Sequence, residues 1–319
     1  MNIAFAGFRH NHIINLYKDA EVNSDINIIA CYEEDTDARC SMTETLEADF
    51  NADTYGEILK NNMVDAIAIG DYYGKRGKMI IDALKNGKHV ICDKPLCTTL
   101  SELDEIERLS TEKNLVVACM LDLRFLPQAI KAKELIGNGE IGEVKTVSFT
   151  GQHPLMFSSR PSWYFEEGKH GGTINDIAIH GIDLVRWLTK KNLTKIDFAK
   201  TWNAFADRAP DFKDSAVFTV TMEDVTVSAD VSYSAPSFTV PTYWNFQFWG
   251  IEGMISFNYW DNRVHIYKKE ETVIDCDEMK SPVYFAEFIN QTEGKPSLMT
   301  TKDILQSQRQ VLMIQKASE

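Results

Sequence analysis

The stretch Gly87-Lys88-His89-Val90-Ile91-Cys92-Asp93-Lys94-Pro95 fixes a lysine where lysines are seldom fixed. An apolar strand leaves a Gly-Lys turn and delivers Asp93, Lys94 and Pro95 at its C-terminal end, and Pro95 locks its own φ. In an open α/β sheet that edge faces the ligand. A solvated strand-end lysine is the plain alternative. A second cluster weighs against it. Gly171-Gly172 precedes a helical segment on which Asp176 and His180, four residues apart, share a face among Ile, Ala and Leu. A histidine accepts a proton near neutral pH, and a carboxylate one turn away orients the imidazole and supports its cation. Alone, such a pair reads as well as a satisfied core histidine. With Lys94 it makes an alcohol-oxidation set. Lys94 holds the alcohol oxygen and stabilises its developing charge, His180 takes the proton, and the hydride leaves for C4 of a nicotinamide.

That chemistry needs a dinucleotide cradle and a rigid frame. Residues 2–7 read as a buried strand ending at Gly7, followed by Phe8, Arg9 and His10 and a helical pattern through Ile13, Ile14, Leu16 and Tyr17. Strand, glycine and helix in this order are the context of a dinucleotide-binding turn. Arg9 and His12 occupy the second and third glycine positions of the usual G-x-G-x-x-G. Gly7 still permits the tight turn, and the helix N-terminal amides still face a pyrophosphate. Arg9 either adds a guanidinium to that contact or points to solvent. A second strand, 26–32, ends at Glu33-Glu34-Asp35. Glu33 is expected to accept from both ribose hydroxyls and to repel a 2′-phosphate, which favours NAD over NADP. Asp35, Thr36 and Asp37 look like the cap of the next helix. A third strand, 63–70, ends at Gly70 before Asp71, and a fifth, 115–119, follows the Lys94 strand. Strands alternating with helices give βαβ units and a parallel sheet. The fold class is therefore α/β, with a doubly wound domain over residues 1–121.

From residue 122 the pattern changes. One helix opens at Leu126-Pro127, and strands then alternate with period two over 143–149, 216–221, 225–233 and 243–249. Hairpin turns are expected at 252–253 and 258–263. This part, 122–319, reads as an α+β domain with a large, mostly antiparallel open sheet and a last helix, 302–317, packing back on the body. The face Trp244-Phe246-Phe248 is either core or an oligomer interface.

With 319 residues the chain can build two cores, and a net charge of −14 argues against nucleic acid or an anionic membrane surface as partner. Its six cysteines form no C-x-x-C pair and read as reduced, which implies a cytoplasmic setting. No secretory signal pattern and no run of 18 apolar residues is visible.

Taken together, Gly7, Glu33, the 87–95 stretch, Leu123-Arg124-Phe125-Leu126-Pro127, Gly139-Glu140-Ile141-Gly142-Glu143-Val144 and the 171–187 segment resemble the Gfo/Idh/MocA oxidoreductases. Asp93-Lys94-Pro95 stands for that family's usual Glu-Lys-Pro. The resemblance implies an N-terminal Rossmann domain and a C-terminal domain whose open sheet mediates homodimers or homotetramers. It implies catalytic roles for Lys94, Asp176 and His180, with Asp176 orienting His180 or the substrate. It also places Arg124 beside the nicotinamide or substrate, and Trp163 in the pocket. Gly7, Phe8, Arg9, His10, Glu33, Gly70, Asp71, Asp93 and Lys94 are then the cofactor residues. His153 joins Lys94, Arg124, Trp163, Asp176 and His180 on the substrate side.

The expected cofactor is NAD, the expected substrate a sugar, cyclitol or related polyol, and no metal is expected. Two departures stand out: the glycine-poor loop after Gly7, and Asp71-Tyr72-Tyr73-Gly74-Lys75-Arg76 in place of a Thr-Pro-Asn stretch. Three rivals are weighed. An enzyme of this fold that uses NAD transiently to hydrolyse or eliminate a glycoside retains the same residues. A non-catalytic NAD-binding sensor has no need to keep Lys94, Asp176 and His180 together. A metallohydrolase built on His10-x-His12 requires an eightfold strand–helix repeat, and the alternation stops near residue 120.

Overall fold

A computed structural model describes residues 1–240 and 243–319 of the chain. Chain contacts divide it into two compact units. The first comprises Met1–Met120, Pro161–Gly171 and Pro282–Gln306; the second comprises Leu121–Arg160, Gly172–Ser281 and Ser307–Glu319. The single break expected between 121 and 122 is thus joined by two returns of the chain to the first unit.

In the first unit, five short apolar runs form strands β1 (Asn2–Ala6), β2 (Asn27–Tyr32), β3 (Ala66–Ile69), β4 (His89–Cys92) and β5 (Val117–Cys119). They pair in parallel in the order β2-β1-β3-β4-β5. Most of their residues are buried, as expected where helices cover a parallel sheet. The crossovers are α1 (His12–Val22), α2 (Thr36–Leu46), α3 (Tyr55–Lys60), α4 (Tyr73–Lys85) and α5 (Leu100–Lys113). Side-chain caps set three of their starts: Asp35, Thr54 and Thr99 accept from the amides of Ala38, Glu57 and Glu102. The strand order reverses beside β1, so the turns after β1 and β3 open at the switch point, where doubly wound sheets take their ligands.

The second unit begins with a 3₁₀ turn, Asp122–Phe125, and α6 (Pro127–Gly137). Its eight strands are β6 (Val144–Pro154), β7 (Leu193–Trp202), β8 (Ser215–Met222), β9 (Val225–Ala235), β10 (Trp244–Gly250), β11 (Met254–Asn258), β12 (Arg263–Tyr267) and β13 (Glu271–Asp275). They order as β13-β12-β11-β10-β6-β9-β8-β7; β6 and β9 pair in parallel and the other neighbours antiparallel. One turn of π-helix (Ile174–Ala178) leads into α7 (Ile179–Thr189), which lies on this sheet. Trp244, Phe246 and Phe248 are buried within the unit and stack with Phe149 and Phe257, so this face is core rather than an oligomer surface. Trp249 and Ile251, 48% and 66% exposed, lie outside it.

The remaining helices are α8 (Tyr284–Thr292) and α9 (Thr301–Ala317). In the first unit, the Thr301 hydroxyl accepts from the amide of Val117 on β5 (3.0 Å). In the second, Gln315 accepts from the Ile174 amide (3.0 Å) and so caps the π-helical turn.

Candidate active site

In the first unit the turn after β1 is shaped by close approach. Gly7 has φ +80°, and a Cβ there would sit 2.6 Å from the Asp71 Cβ. Gly70 meets the Ile13 side chain of α1 at comparable range. The two glycines therefore let the turns after β1 and β3 lie against each other and against the start of α1.

Glu33 is buried at the end of β2. Its two carboxylate oxygens accept from the amides of Phe8 (2.5 Å) and Asp35 (2.8 Å), tying the β1 and β2 turns together. Burial pushes its carboxyl up, against the pull of those two amides. Asp35 and Asp37 line a cavity of about 480 Å³ with Phe8, Arg9, Asn11 and Trp163. Arg9 lies within 4 Å of Glu33, Glu34, Asp35 and Asp71, so four carboxylates surround its guanidinium. The Trp163 indole donates to the Arg9 carbonyl (3.2 Å) and stacks on Tyr164, placing the 161–171 segment over this turn. The close turns, the cavity and the N-terminus of α1 fit a dinucleotide. The Arg9 and His12 side chains leave less room than glycines would.

Asp71 holds Lys75 (2.8 Å), and Lys75 also reaches Glu34 (2.7 Å). Arg76 is fully buried and turns to the Lys94 stretch. Its guanidinium donates to the carbonyls of Asp71 (2.7 Å), Asp93 (3.1 Å), Lys94 (2.5 Å) and Pro95 (3.2 Å), and to Asp93 Oδ2 (2.8 Å). Lys94 itself is buried. Asp93 also pairs through Oδ2 with His10 Nδ1, and His12 Nδ1 lies 3.3 Å from its Oδ1. Burial pushes the Asp93 carboxyl up, but the Arg76 guanidinium wins and holds it well below the carboxylate range. Burial also pushes the His10 imidazolium down to about 3, so His10 is neutral at ordinary pH.

In the second unit His180 is buried on the first turn of α7. The carboxylate at its Nδ1 is that of Asp122, 3.1 Å away and half exposed. Asp176 is also buried, and Tyr233 of β9 donates its hydroxyl to it. Asp176 lies in the π-helical turn that leads into α7. Trp244 packs edge-on to His180 at 5.8 Å. His153 joins the same cluster, contacting Tyr243 through Nε2 (3.2 Å) and lying 5.7 Å from Trp244. Burial, and then Asp122, push the Tyr243 phenol well up, so it stays protonated.

Arg124 is fully buried and pairs with Asp183 through two bonds of 2.6 and 2.5 Å; Ser307 donates to the same carboxylate (2.6 Å). This pair anchors the 3₁₀ turn to α7.

Asp122, Tyr233 and Tyr243 join these clusters without having been singled out, whereas Tyr73 and Arg76 belong to the 71–76 stretch noted as a departure. Of the first three, only Asp122, two residues before Arg124, stood near a recognised motif. A larger cavity of about 930 Å³ opens at the opposite strand ends, beside Met1, Asp65 and His89, and contains none of the candidate residues.

Comparison with known proteins agrees with this frame. A model of an oxidoreductase family with an NAD-binding Rossmann fold matches residues 1–120, and a Gfo/Idh/MocA C-terminal-domain model matches 129–256. The levoglucosan dehydrogenase of Pseudarthrobacter phenanthrenivorans is 33% identical over 39% of this chain and 33% of its own. The scyllo-inositol 2-dehydrogenase (NAD(+)) of Bacillus subtilis is 31% identical over 44% of this chain and 40% of its own. Such alignments span about a third to a half of the curated relatives. A solved structure from Erwinia carotovora atroseptica SCRI1043 superimposes with a TM-score of 0.92 over 100% of this chain and 99% of its own, at 23% identity. On these matches, the chain belongs to the Gfo/Idh/MocA oxidoreductases.

Proposed function

We propose that the protein is an NAD-dependent dehydrogenase that transfers a hydride between a secondary alcohol carbon of a sugar, cyclitol or related polyol and nicotinamide. The observation that carries this reading is the buried Lys94. It stands at the carboxyl end of β4 in a domain matched to the NAD-binding family, with its backbone clamped by Arg76. Nicotinamide, when bound, supplies the hydride acceptor. Gly7, Phe8, Arg9, His10, Gly70, Asp71 and Asp93 form its binding edge. Lys94 donates to the alcohol oxygen and stabilises the alkoxide character that develops as the C–H bond breaks. His180 accepts the hydroxyl proton at a ring nitrogen, and Asp122 and Asp176 set the negative field around it. The products are a ketone, reduced nicotinamide and a protonated His180; proton release to solvent restores the base.

NAD is preferred because the carboxylates around Arg9 offer a 2′-phosphate no uncompensated cation. The levoglucosan and scyllo-inositol dehydrogenases support a polyhydroxylated substrate. The reading includes a cytoplasmic setting and a homo-oligomer formed through the eight-stranded sheet. A screen of sugars, inositols and sugar acids with NAD and NADP tests it. Accumulation of NADH with one of these classes is expected. Glycoside cleavage without net NADH would replace the dehydrogenase by a redox-neutral enzyme, and no turnover with any class would overturn the reading.

A further inference from the structure

We propose that His10, His12 and Asp93 form a binding site for one divalent transition-metal cation of the zinc type. The three side chains each offer a ligand atom, and these atoms lie within 4.8 Å of one another, all in the first unit. His12 Nδ1 and Asp93 Oδ1 are 3.3 Å apart. This is the edge of a tetrahedron with metal–ligand bonds of about 2.0–2.1 Å, roughly 3.3–3.4 Å.

The second observation is Asp93 Oδ1 itself. Asp93 is fully buried, and this oxygen accepts no hydrogen bond among the described residues, whereas its Oδ2 receives Arg76 and His10. A buried carboxylate oxygen left without a donor carries an uncompensated desolvation cost. A cation between Oδ1 and the two imidazoles removes that cost.

The surroundings are those of a ligating histidine. His10 Nε2 meets the Tyr73 hydroxyl at 3.1 Å, and Tyr73 meets the Tyr164 hydroxyl at 2.8 Å. An outer partner on Nε2 fixes the ring, and ligation through Nδ1 replaces that nitrogen's contact with Asp93 Oδ2. His12, whose side chain is 42% exposed, gives the ion its way in. Two imidazoles and one carboxylate select zinc, cobalt or nickel over magnesium or calcium. Arg76, 2.8 Å from Oδ2, opposes the added charge and weakens the site relative to one without it.

The test uses the whole chain, stripped by chelator and dialysed against zinc or cobalt(II) without dinucleotide. One equivalent per chain is expected. The cobalt form should show an intense ligand-field spectrum, with paramagnetically shifted ring N–H signals from two histidines. His12→Ala and His12→Gln should weaken zinc binding by more than the about 10–100-fold that loss of an outer partner costs. Their melting temperature in chelator should be unchanged. Absence of stoichiometric binding, fewer than two shifted histidines in the unmutated chain, or zinc binding indifferent to both His12 variants would overturn the site.

Discussion

Lys94 owes its place to Arg76 as much as to Pro95. One buried guanidinium gathers four carbonyls and a carboxylate, and three of those carbonyls belong to Asp93, Lys94 and Pro95. Nothing in the sequence separates Arg76 from any helix-surface arginine, because its partners come from another strand end. Glu33 and Arg124 show the converse. Both carry strong motif signals, and both are satisfied internally, by backbone amides and by Asp183. Sequence position did not show which groups would claim their hydrogen bonds.

His10 gives a prediction at this scale. Its folded value of about 3 lies below the about 6.5 of an unfolded histidine. The stability it contributes is therefore full above about pH 6.5 and is lost as pH falls toward 3. Over the window from about 6.5 to 4, His10→Gln should flatten the decline of unfolding free energy with falling pH. The difference should be at most about 1.4 kcal/mol per pH unit, the value for one proton. Urea unfolding across that range, in chelator, measures it; equal slopes in the two proteins would count against a buried neutral His10.

Among elements, the first unit was the more legible. Its apolar runs, the Asp35 cap and the Asn86-Gly87 helix end were readable, and the strands lie where the runs are. The second unit was legible in class but not in detail. Strand β7 escaped notice because its lysines and Asp197 face solvent at a sheet edge, where charge blunts pairing with another chain and also hides the alternation. The π-helical turn was illegible: a run of Ile, Ala and Asn reads as α-helix until the packing of Asp176 beneath β9 is known.

Gly181 reports how tightly α7 sits on the sheet. A Cβ there would lie 2.2 Å from the Phe149 ring. Gly181→Ala gains about 1 kcal/mol of helix propensity. Overpacking typically costs about 1–3 kcal/mol, and with backbone and ring both held, the cost should win. The urea midpoint should fall, with far-UV circular dichroism retained; a raised midpoint would mean that α7 is free to lift from the ring.

For the whole molecule, the family matches over 1–120 and 129–256 establish the oxidoreductase lineage, while the net charge of −14 sets nucleic acid aside only as an expectation. None of the described helices is long and apolar enough to cross a membrane. Substrate identity was not legible because the polar groups at hand suit any polyol. The alignments, a third to a half of each relative, carry the lineage further than the specificity.

The proposed roles of Lys94 and His180 in alcohol oxidation are read from the turnover rate for NADH formation, measured with the best substrate of the screen, for the native chain and for Lys94→Ala and His180→Ala. Each variant should still bind NAD by fluorescence titration. The rate should fall about 10²–10⁴-fold for His180→Ala and by at least about 10²-fold for Lys94→Ala. Turnover within a few-fold of native in either variant, with NAD bound, would contradict those roles.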